Sequence, residues 1–340
     1  MKKYAYVTFI IRNDSYLPGA LVFAYALRLQ KTKADLVCIV SDNISDAAVA
    51  SLKLVYDDVI VINEVYVPHD RRQERQDRPF LFSRFNAFRL GADGDLNKKY
   101  EKIIIADCDL LPLHGYDRLF DLPAPAGIIN EKKEYCLEYD DKGKYIIPTS
   151  VYLNGTWKWH EIYNNVPHGT LIPKEITDRI KDDKQNMGVN ASLYLFEPSN
   201  KFYNSIMDDL DNLKIQKEIS LYNWPEMQYI TLKLSGLWTN IDLKYSSFNG
   251  YPDIEYLNGI HFAGLKPWNM KNNSIKSFGR FDDYKLWYYT YLKACNEVEG
   301  LLKNRKIKKL YNQILLLTKD KKYQFYRKHI SHLNHFFEEK

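Results

Sequence analysis

The stretch Lys102-Ile103-Ile104-Ile105-Ala106-Asp107-Cys108-Asp109-Leu110-Leu111-Pro112-Leu113 decides the fold class of this chain. Four apolar residues between Lys102 and Asp107 predict a short buried strand. Two carboxylates follow, one residue apart, where that strand ends, and in an open α/β sheet this edge faces the ligand crevice. Asp-x-Asp can there offer two oxygen ligands to a divalent cation that bridges to phosphate. An ordinary strand-to-loop junction is the alternative interpretation.

Strands and helices alternate on the N-terminal side of this stretch. Residues 4–11 predict a strand, and Leu17–Gln30 predicts a helix with a proline in its first turn. Leu36–Ser41 is a second predicted strand, a helix then runs from Ser45 to about Tyr56, and Val59–Ile62 is a third strand. This alternation is typical of crossover units and predicts an α/β fold with a parallel sheet.

Composition excludes several classes of protein. The 340 residues carry a net charge of +5 with mixed signs, so the chain has no strong field for nucleic acid. Cys38, Cys108, Cys136 and Cys295 form no Cys-x-x-Cys pair, which is typical of free thiols in a reducing compartment. No signal-peptide pattern follows Met1, and no apolar run reaches the ~18 residues that span a bilayer. We therefore expect a cytoplasmic protein.

A second motif, His261-Phe262-Ala263-Gly264-Leu265-Lys266-Pro267-Trp268, has the composition of a ligand-binding loop. Imidazole suits Mn²⁺ as a third ligand beside two carboxylates. Lys266 is a compact positive charge suited to phosphate. Trp268 is interpreted as a packing residue.

Together the two motifs resemble glycosyltransferase family 8, the glycogenin and galactinol synthase group. Tyr6-Val7-Thr8-Phe9 and Asn13-Asp14-Ser15-Tyr16-Leu17-Pro18-Gly19-Ala20-Leu21-Val22 resemble the first strand and nucleotide loop of that family. Asn190-Ala191-Ser192-Leu193-Tyr194-Leu195-Phe196-Glu197-Pro198-Ser199 is similar to its Asn-x-Gly-Val…Pro-Ser stretch. The blocks come in the family's order and cover about residues 4–270.

The resemblance implies a GT-A type, Rossmann-like α/β domain with a mixed central sheet over residues 1–275, followed by a C-terminal helical extension over 276–340. It implies a metal-dependent retaining glycosyltransferase that moves a hexose from a UDP-sugar to a sugar, polyol or protein acceptor. Mn²⁺ or Mg²⁺ would be the cofactor, and self-glycosylation and a homodimer are open alternatives. Residues 131–180 form an insertion that is either an acceptor platform or a long insertion packed by its own aromatics.

The resemblance also implies roles for individual residues. Asp107, Asp109 and His261 would hold the metal. Arg84, on a helix predicted over Phe80–Leu90, takes the position of a basic residue that contacts the donor. The residues expected at the donor are Thr8, Asn13, Tyr16, Arg78, Arg84, Asp107, Cys108, Asp109, Asn130, Gly264 and Lys266. Tyr16 would stack on uracil, and Arg75 is an alternative to Arg78 for the diphosphate.

The segment His69–Asp77 is densely charged, and it is either a solvated loop or a mobile lid over the donor. We expect Pro68–Asp77 and the His261 loop to become ordered when UDP and metal bind.

The catalytic candidates are Glu226, Gln228, Arg84 and Asn190. Trp224–Leu232 resembles the family's acidic-Gln-x-hydrophobic-Leu helix start, with one departure. Met227 stands where the family has a Gln, and Gln228 falls one residue late. The group on the back face of the reacting sugar carbon is therefore open between Glu226 and Gln228.

Two other functions fit part of the sequence. A haloacid-dehalogenase-like phosphatase also uses Asp-x-Asp after an apolar strand, but that motif usually ends the first strand of its domain. Such a phosphatase would also leave the His261 loop unexplained. A degenerate transferase that only binds sugar is supported by Met227 and opposed by the intact metal ligands.

The segment 301–317 is basic and amphipathic. It would either contact an anionic membrane or pack on its own domain, and packing is the preferred interpretation.

Overall fold

The computed structural model describes residues 3–68, 78–131, 138–139, 145–146, 152–153, 156–157, 165–249, 254–269, 281–319 and 330–338. Its α-helices are α1 (Leu17–Leu29), α2 (Asp46–Leu52), α3 (Lys174–Asp182), α4 (Asn200–Asp211), α5 (Leu213–Ile219), α6 (Pro225–Lys233), α7 (Asp282–Glu297) and α8 (Arg305–Lys319). Shorter 3₁₀ segments are Asp14–Tyr16, Tyr116–Asp121, Leu243–Tyr245, Ile254–Tyr256, Leu301–Lys303 and Ile330–Phe336, and a longer one spans Arg78–Leu90.

The strands are β1 (Tyr4–Ile10), β2 (Asp35–Ser41), β3 (Asp58–Ile62), β4 (Lys102–Ala106), β5 (Leu110–Pro112), β6 (Ala126–Ile129), β7 (Glu138–Tyr139), β8 (Tyr145–Ile146), β9 (Tyr152–Leu153), β10 (Thr156–Trp157), β11 (Val189–Phe196), β12 (Thr239–Asn240), β13 (Ser247–Phe248) and β14 (Gly259–His261).

Seven strands form a mixed sheet in the order β12-β6-β11-β4-β1-β2-β3. Strand β4 runs parallel to β1, with Tyr4 opposite Lys102 and Val7 opposite Ile105. Strand β11 is antiparallel to both β4 and β6. Strand β11 thus adds antiparallel pairs to a sheet in which β1 and β4 are parallel. The mixed α/β class expected from the resemblance is confirmed.

The strand predicted before Asp107 is β4, and its apolar side chains are buried. Ile103, Ile104 and Ile105 are each fully buried, as expected for a strand covered on both faces. Helix α1 has Pro18 in its first turn, and Leu17 and nearly all later residues are buried, so it packs into the core over most of its length. Helix α2 begins after Ser45, whose hydroxyl accepts a hydrogen bond from the Ala48 amide at 3.3 Å.

Contacts divide the chain into two compact units. The first unit comprises Met1–Val7, Val61–Ala106 and Arg118–Leu243, and the second comprises Thr8–Ile60, Asp107–Asp117 and Lys244–Lys340.

In the first unit, Arg78–Leu90 is a 3₁₀ helix over all thirteen residues. A 3₁₀ helix has three residues per turn, and Phe82, Phe85 and Phe88 recur at that interval. Their rings are in contact, with centroids 5.7 and 5.9 Å apart along the series. Aromatic side chains also lose rotamer freedom in an α-helix, so this ring series favours the tighter helix.

In the second unit, a three-stranded sheet has the order β13-β14-β5. Strand β14 is antiparallel to β5, with His261 opposite Leu110 and Ile260 opposite Leu111. His261 is therefore the last residue of a strand, whereas the sequence places it in a loop. The reason is the pairing with β5, which no local pattern reveals.

The C-terminal extension also belongs to the second unit. Helix α8 buries Ile307, Leu310 and Ile314 on one stripe. The hydroxyl of Tyr291 in α7 donates to the carbonyl of Ile307 at 3.0 Å. Over the described ranges, none of the helices is both long and apolar enough to cross a bilayer.

Candidate active site

The backbone brings the two sequence motifs of the second unit together. Asp107 and Asp109 lie in the short turn that precedes β5, where the Leu110 amide donates to the Asp107 carbonyl at 3.2 Å. The Phe262 amide donates to the Asp109 carbonyl at 2.9 Å. Because the Phe262–Asp109 hydrogen bond continues the pairing of β5 with β14, His261 is held directly beside the Asp-x-Asp turn.

The side chains of Asp107, Asp109 and His261 converge. His261 Nε2 lies 3.4 Å from Asp109 Oδ1 and 4.0 Å from Asp107 Oδ2. One ligand atom from each residue lies within 4.8 Å of the others. Hard divalent cations bind oxygen at about 2.0–2.6 Å, so neighbouring ligands of an octahedral ion are about 2.8–3.7 Å apart and opposite ones about 4–5 Å apart. The three side chains therefore have the spacing of a divalent cation site.

Hydrogen bonding supports the same assignment. Within the described part of the chain, Asp109 Oδ1 and His261 Nδ1 are buried and have no hydrogen-bond partner. A buried polar atom without a partner is costly, and native structures contain few of them. A cation bound by Asp109 Oδ1 would satisfy that oxygen, so the residues present fit a metal.

The second oxygen of Asp109 is already engaged. Lys266 Nζ donates to Asp109 Oδ2, and it also donates to the carbonyls of Phe262 at 2.6 Å and Ala263 at 3.2 Å. Burial raises the pKa of Asp109, but the charges of His261 and Lys266 and the hydrogen bond from Lys266 outweigh burial and lower that pKa below its ordinary value. Asp109 is thus held as a carboxylate.

Space remains open beside Gly264. A Cβ atom added to Gly264 would meet no described atom within 4 Å. Lys266 Nζ lies 6.0 Å from the centre of the Tyr16 ring. The predicted phosphate contacts Gly264 and Lys266 therefore lie on the same short loop as the metal ligand His261, and the predicted base-stacking residue is close to Lys266.

Trp268 anchors this loop. Its ring contacts Tyr16 edge-on at 5.6 Å, and it lies 5.6 Å from Trp287, which stacks on Tyr291 at 5.3 Å. A Cβ atom on Gly19 of α1 would lie 2.5 Å from the Trp268 ring and 2.4 Å from the Cys108 carbonyl. Because Gly19 has no side chain, Trp268 and the Asp-x-Asp turn can approach α1 closely. Trp268 thus packs against α1, as the sequence predicts.

The contact between Thr8 and Cys108 attaches the Asp-x-Asp turn to strand β1. Thr8 Oγ1 and Cys108 Sγ are 3.0 Å apart, and Cys108 Sγ donates to the Phe9 carbonyl at 3.0 Å. Burial raises the pKa of the Cys108 thiol to about 12, so it stays a neutral thiol. These two predicted donor contacts are engaged with each other inside the protein. Cys38, Cys108 and Cys295 are all buried free thiols.

The nucleotide loop predicted at Asn13–Tyr16 is a 3₁₀ turn capped by Asn13, whose Oδ1 accepts a hydrogen bond from the Ser15 amide at 2.9 Å. Arg12 precedes it in the left-handed region with φ of 70°. The Arg12 amide donates to Ser41 Oγ at 3.1 Å. A non-glycine residue in this region is strained, and such strain persists only where surrounding contacts hold it.

A second group of predicted residues lies in the first unit. Arg84 Nη1 donates to the Ala191 carbonyl at 2.7 Å, and Arg84 Nη2 lies 4.0 Å from Glu226 Oε1. Asn190 Oδ1 accepts from the Ser192 amide at 2.9 Å, next to a register shift in β11. Arg84, Glu226 and Asn190 are all buried. The structure therefore places Arg84 beside Glu226 and binds it to the carbonyl of Ala191, the residue that follows Asn190.

The side chain of Gln228, the fourth predicted catalytic residue, is hydrogen-bonded to the backbone. Its Nε2 donates to the carbonyls of Lys184 at 2.8 Å and Asn186 at 2.7 Å, while its Oε1 accepts from the Trp224 amide at 2.8 Å. Both donor hydrogens of the amide and its oxygen are thus engaged by backbone. Met227 beside it is also buried.

The other predicted contacts of the first unit are bound to the protein itself. Arg78 Nη1 donates to the Asn223 carbonyl at 2.9 Å, and Asn130 Nδ2 lies 3.4 Å from Met187 Sδ. Glu131, next to Asn130, is buried and pairs with Arg179 at 2.6 Å. The predicted lid His69–Asp77, which includes Arg75, and half of the 131–180 insertion lie outside the described residues.

Sequence reasoning did not single out two residues that interact at the predicted nucleotide loop, Asp14 and Lys306. The Asp14 carboxylate accepts from the Lys306 ammonium at 2.7 Å. Asp14 has a local signal in its loop motif, whereas Lys306 lies 292 positions away in a basic run and has none.

Comparison with known proteins identifies relatives along most of the chain, although no family model matches. An uncharacterized protein, R707 of Acanthamoeba polyphaga mimivirus, is 29% identical over 312 residues, covering 86% of this chain and 95% of that protein. Galactinol synthase 3 of Arabidopsis thaliana is 24% identical over 327 residues, covering 88% and 87%. The glycogenin of Neurospora crassa is 35% identical over 115 residues, covering 34% of this chain and 16% of that protein.

A solved structure shows the same fold. The crystal structure of galactosyltransferase LgtC in complex with donor and acceptor sugar analogs aligns with a TM-score of 0.50 and 12% identity, covering 91% of this chain and 95% of LgtC. These relatives and this fold confirm the resemblance to the glycogenin and galactinol synthase group and the GT-A type of architecture.

Proposed function

We propose that this glycogenin-like chain is a metal-dependent retaining glycosyltransferase that moves a hexose from a UDP-sugar to a carbohydrate, polyol or protein acceptor. The observation that carries the proposal is the convergence of Asp107, Asp109 and His261, with Lys266 bound to the same aspartate. The named glycogenin and galactinol synthase relatives support the reaction class. Three buried free thiols support the expectation of a cytoplasmic protein.

The chemistry of the leaving group explains why these residues are needed. Breaking the bond between sugar and UDP leaves negative charge on a diphosphate. Asp107, Asp109 and His261 would hold a divalent cation, which would supply positive charge to the diphosphate, and Mn²⁺ suits this mixed oxygen and nitrogen donor set. Lys266 adds a second positive charge from the same loop. Tyr16 offers its ring to the base, and Asn13 holds the turn that presents Tyr16.

The buried pair of Arg84 and Glu226 is proposed to act on the donor sugar. Glu226 Oε1 lies 4.0 Å from Arg84 Nη2 and both side chains are buried, where electrostatic interactions are stronger than in water. Gln228, whose amide is engaged by backbone, is less suited to this role than Glu226.

A panel of UDP-sugars tests the proposal. We expect UDP release with Mn²⁺ for at least one sugar, its loss in excess chelator, and its recovery when Mn²⁺ is restored. The intact mass of the protein, measured in the same reactions, shows whether the chain glycosylates itself. UDP release that continues at full rate in excess chelator would contradict a metal-dependent mechanism.

The second candidate is a degenerate homologue that binds sugar without transferring it. Met227 at the family's Gln position favours it. It differs from the first proposal in one result, because a degenerate protein binds UDP with Mn²⁺ but releases no UDP from any sugar in the panel.

A further inference from the structure

The nucleotide loop predicted at Asn13–Tyr16 is held by a residue of the C-terminal helix. The carboxylate of Asp14 is buried, while the side chain of Lys306 is 71% exposed. Lys306 Nζ donates to Asp14 Oδ2 at 2.7 Å. This contact joins the loop to a segment beyond the part of the chain that resembles glycosyltransferase family 8.

Asp14 is also bound to the start of α2. Its Oδ1 accepts from the Ser45 amide at 3.0 Å, and its Oδ2 accepts from the Ser45 hydroxyl at 2.8 Å. Burial raises the pKa of Asp14, but the hydrogen bonds from Lys306 and Ser45 outweigh it and lower the pKa below its ordinary value. Asp14 is therefore an anion whose positive partner is Lys306.

Asn304 fixes the lysine relative to α2. Its Nδ2 donates to the Ala47 carbonyl and to Ser51 Oγ, each at 3.0 Å. Its Oδ1 accepts from the amides of Lys306 at 2.9 Å and Ile307 at 3.3 Å, which caps the first turn of α8. The same residue thus starts α8 and attaches it to α2, so Lys306 has a defined position over Asp14.

The loop needs such support. It follows Arg12, whose φ of 70° is strained. Tyr16, at the other end, contacts Trp268 and lies close to Lys266. Asp14 is the residue between them that anchors the turn to the rest of the unit.

We propose that Lys306 is a positioning residue for nucleotide binding, which acts through Asp14 to hold Asn13 and Tyr16 where the base of the donor is bound. The C-terminal helix α8 then contributes to donor binding through this contact. This inference rests on the proposed function, because it assumes that UDP binds at this loop.

Calorimetric titration of UDP in the presence of Mn²⁺ tests it on the full chain. Lys306→Met should raise the dissociation constant of UDP by about three- to fivefold, which is the effect expected from losing one solvent-exposed ion pair. The KM for the donor should rise by the same factor while kcat changes little. Lys306→Arg should restore binding, and Lys308→Met, which removes an exposed lysine of the same helix, should bind UDP as the wild type does.

A double-mutant cycle tests whether Lys306 affects UDP binding through Asp14. In an Asp14→Asn background, Lys306→Met should have no further effect on UDP binding, because its partner has lost the charge. Lys306→Gln is the second variant should the methionine variant fail to fold. Equal UDP affinity in the wild type, Lys306→Met and Lys306→Gln would overturn the inference, as would an unchanged effect in the Asp14→Asn background. A wild-type protein that binds no UDP with Mn²⁺ would instead overturn the proposed function.

Discussion

At the scale of single residues, Asp109 uses its two carboxylate oxygens for different purposes. Oδ2 is held by Lys266, and this contact points Oδ1 towards His261. The sequence predicted Asp107, Asp109 and His261 as one site because each belongs to a motif with its own chemistry. It could not predict that Lys266 would bind Asp109, since that contact depends on the turn after His261 and not on any spacing.

The first prediction concerns the metal ligands. Asp107→Asn and Asp109→Asn keep the shape of the side chain and remove its charge, so each variant should fold and bind Mn²⁺ weakly. We expect donor turnover to fall by about a hundredfold or more, the loss typical of removing electrostatic stabilisation of a leaving group. Electron paramagnetic resonance of Mn²⁺ measures binding independently of activity. Wild-type Mn²⁺ affinity in both variants would show that the cation binds elsewhere.

The second prediction concerns Asp14 and pH. Its pKa in the folded protein is lower than the ordinary value of about 3.9 in the unfolded chain. The unfolded state therefore binds the proton more readily, so the stability that Asp14 contributes is present above about pH 4 and is lost as the pH falls through the lower, folded pKa. Asp14→Asn should lower the free energy of unfolding at pH 7 by about 1–2 kcal/mol. Urea unfolding at pH 7 and pH 3 should show a smaller difference at the lower pH.

At the scale of elements, long apolar runs were predictable and short paired strands were not. The strand before Asp107 was predicted because Ile103–Ala106 is uniformly apolar. Strands β5 and β14 have three residues each, and they form through pairing within the sheet β13-β14-β5 and not through a local pattern of their own. The 3₁₀ helix over Arg78–Leu90 had a signal, the recurrence of phenylalanine every three residues, which a search for the α-helical period does not detect.

The third prediction concerns helix α8. It buries Ile307, Leu310 and Ile314, and burial of each such side chain is worth about 1.5–3 kcal/mol. Removing residues 301–340 should therefore lower the melting temperature by several degrees or make the protein insoluble. Sedimentation with anionic vesicles tests the alternative, because a helix whose apolar stripe is already packed should not bind them. Vesicle binding by the full chain, lost on truncation with no change in melting temperature, would instead identify α8 as a membrane helix.

At the scale of the whole molecule, the order of the motifs predicted the fold class. It did not predict the contacts between segments that are distant in sequence. Tyr25 and Glu297 are hydrogen-bonded across 272 positions, and Asp14 and Lys306 across 292. Such contacts are fixed by the packing of α7 and α8, and a single sequence carries no local trace of them.

The fourth prediction concerns the linkage between metal, nucleotide and folding. A ligand that binds only the folded state stabilises it by about 2.7 kcal/mol at a hundredfold excess over its dissociation constant. Because Asp107, Asp109 and His261 would hold a cation that attracts the diphosphate, UDP and Mn²⁺ together should raise the melting temperature by more than the sum of their separate shifts. Lys266→Ala should weaken the shift due to UDP, and His261→Ala should weaken the shift due to Mn²⁺. Merely additive shifts would show that the two ligands bind independently.

The ring series Tyr16, Trp268, Trp287 and Tyr291 gives the protein an intrinsic optical reporter. A base stacked on Tyr16 changes the surroundings of an indole whose edge contact with Tyr16 is 5.6 Å. UDP with Mn²⁺ should therefore alter tryptophan emission in proportion to the occupied fraction of sites, so that binding can be followed without a label. Trp268→Phe should remove most of this signal while leaving UDP binding measurable by calorimetry. An undiminished emission change in that variant would place the responding indole elsewhere.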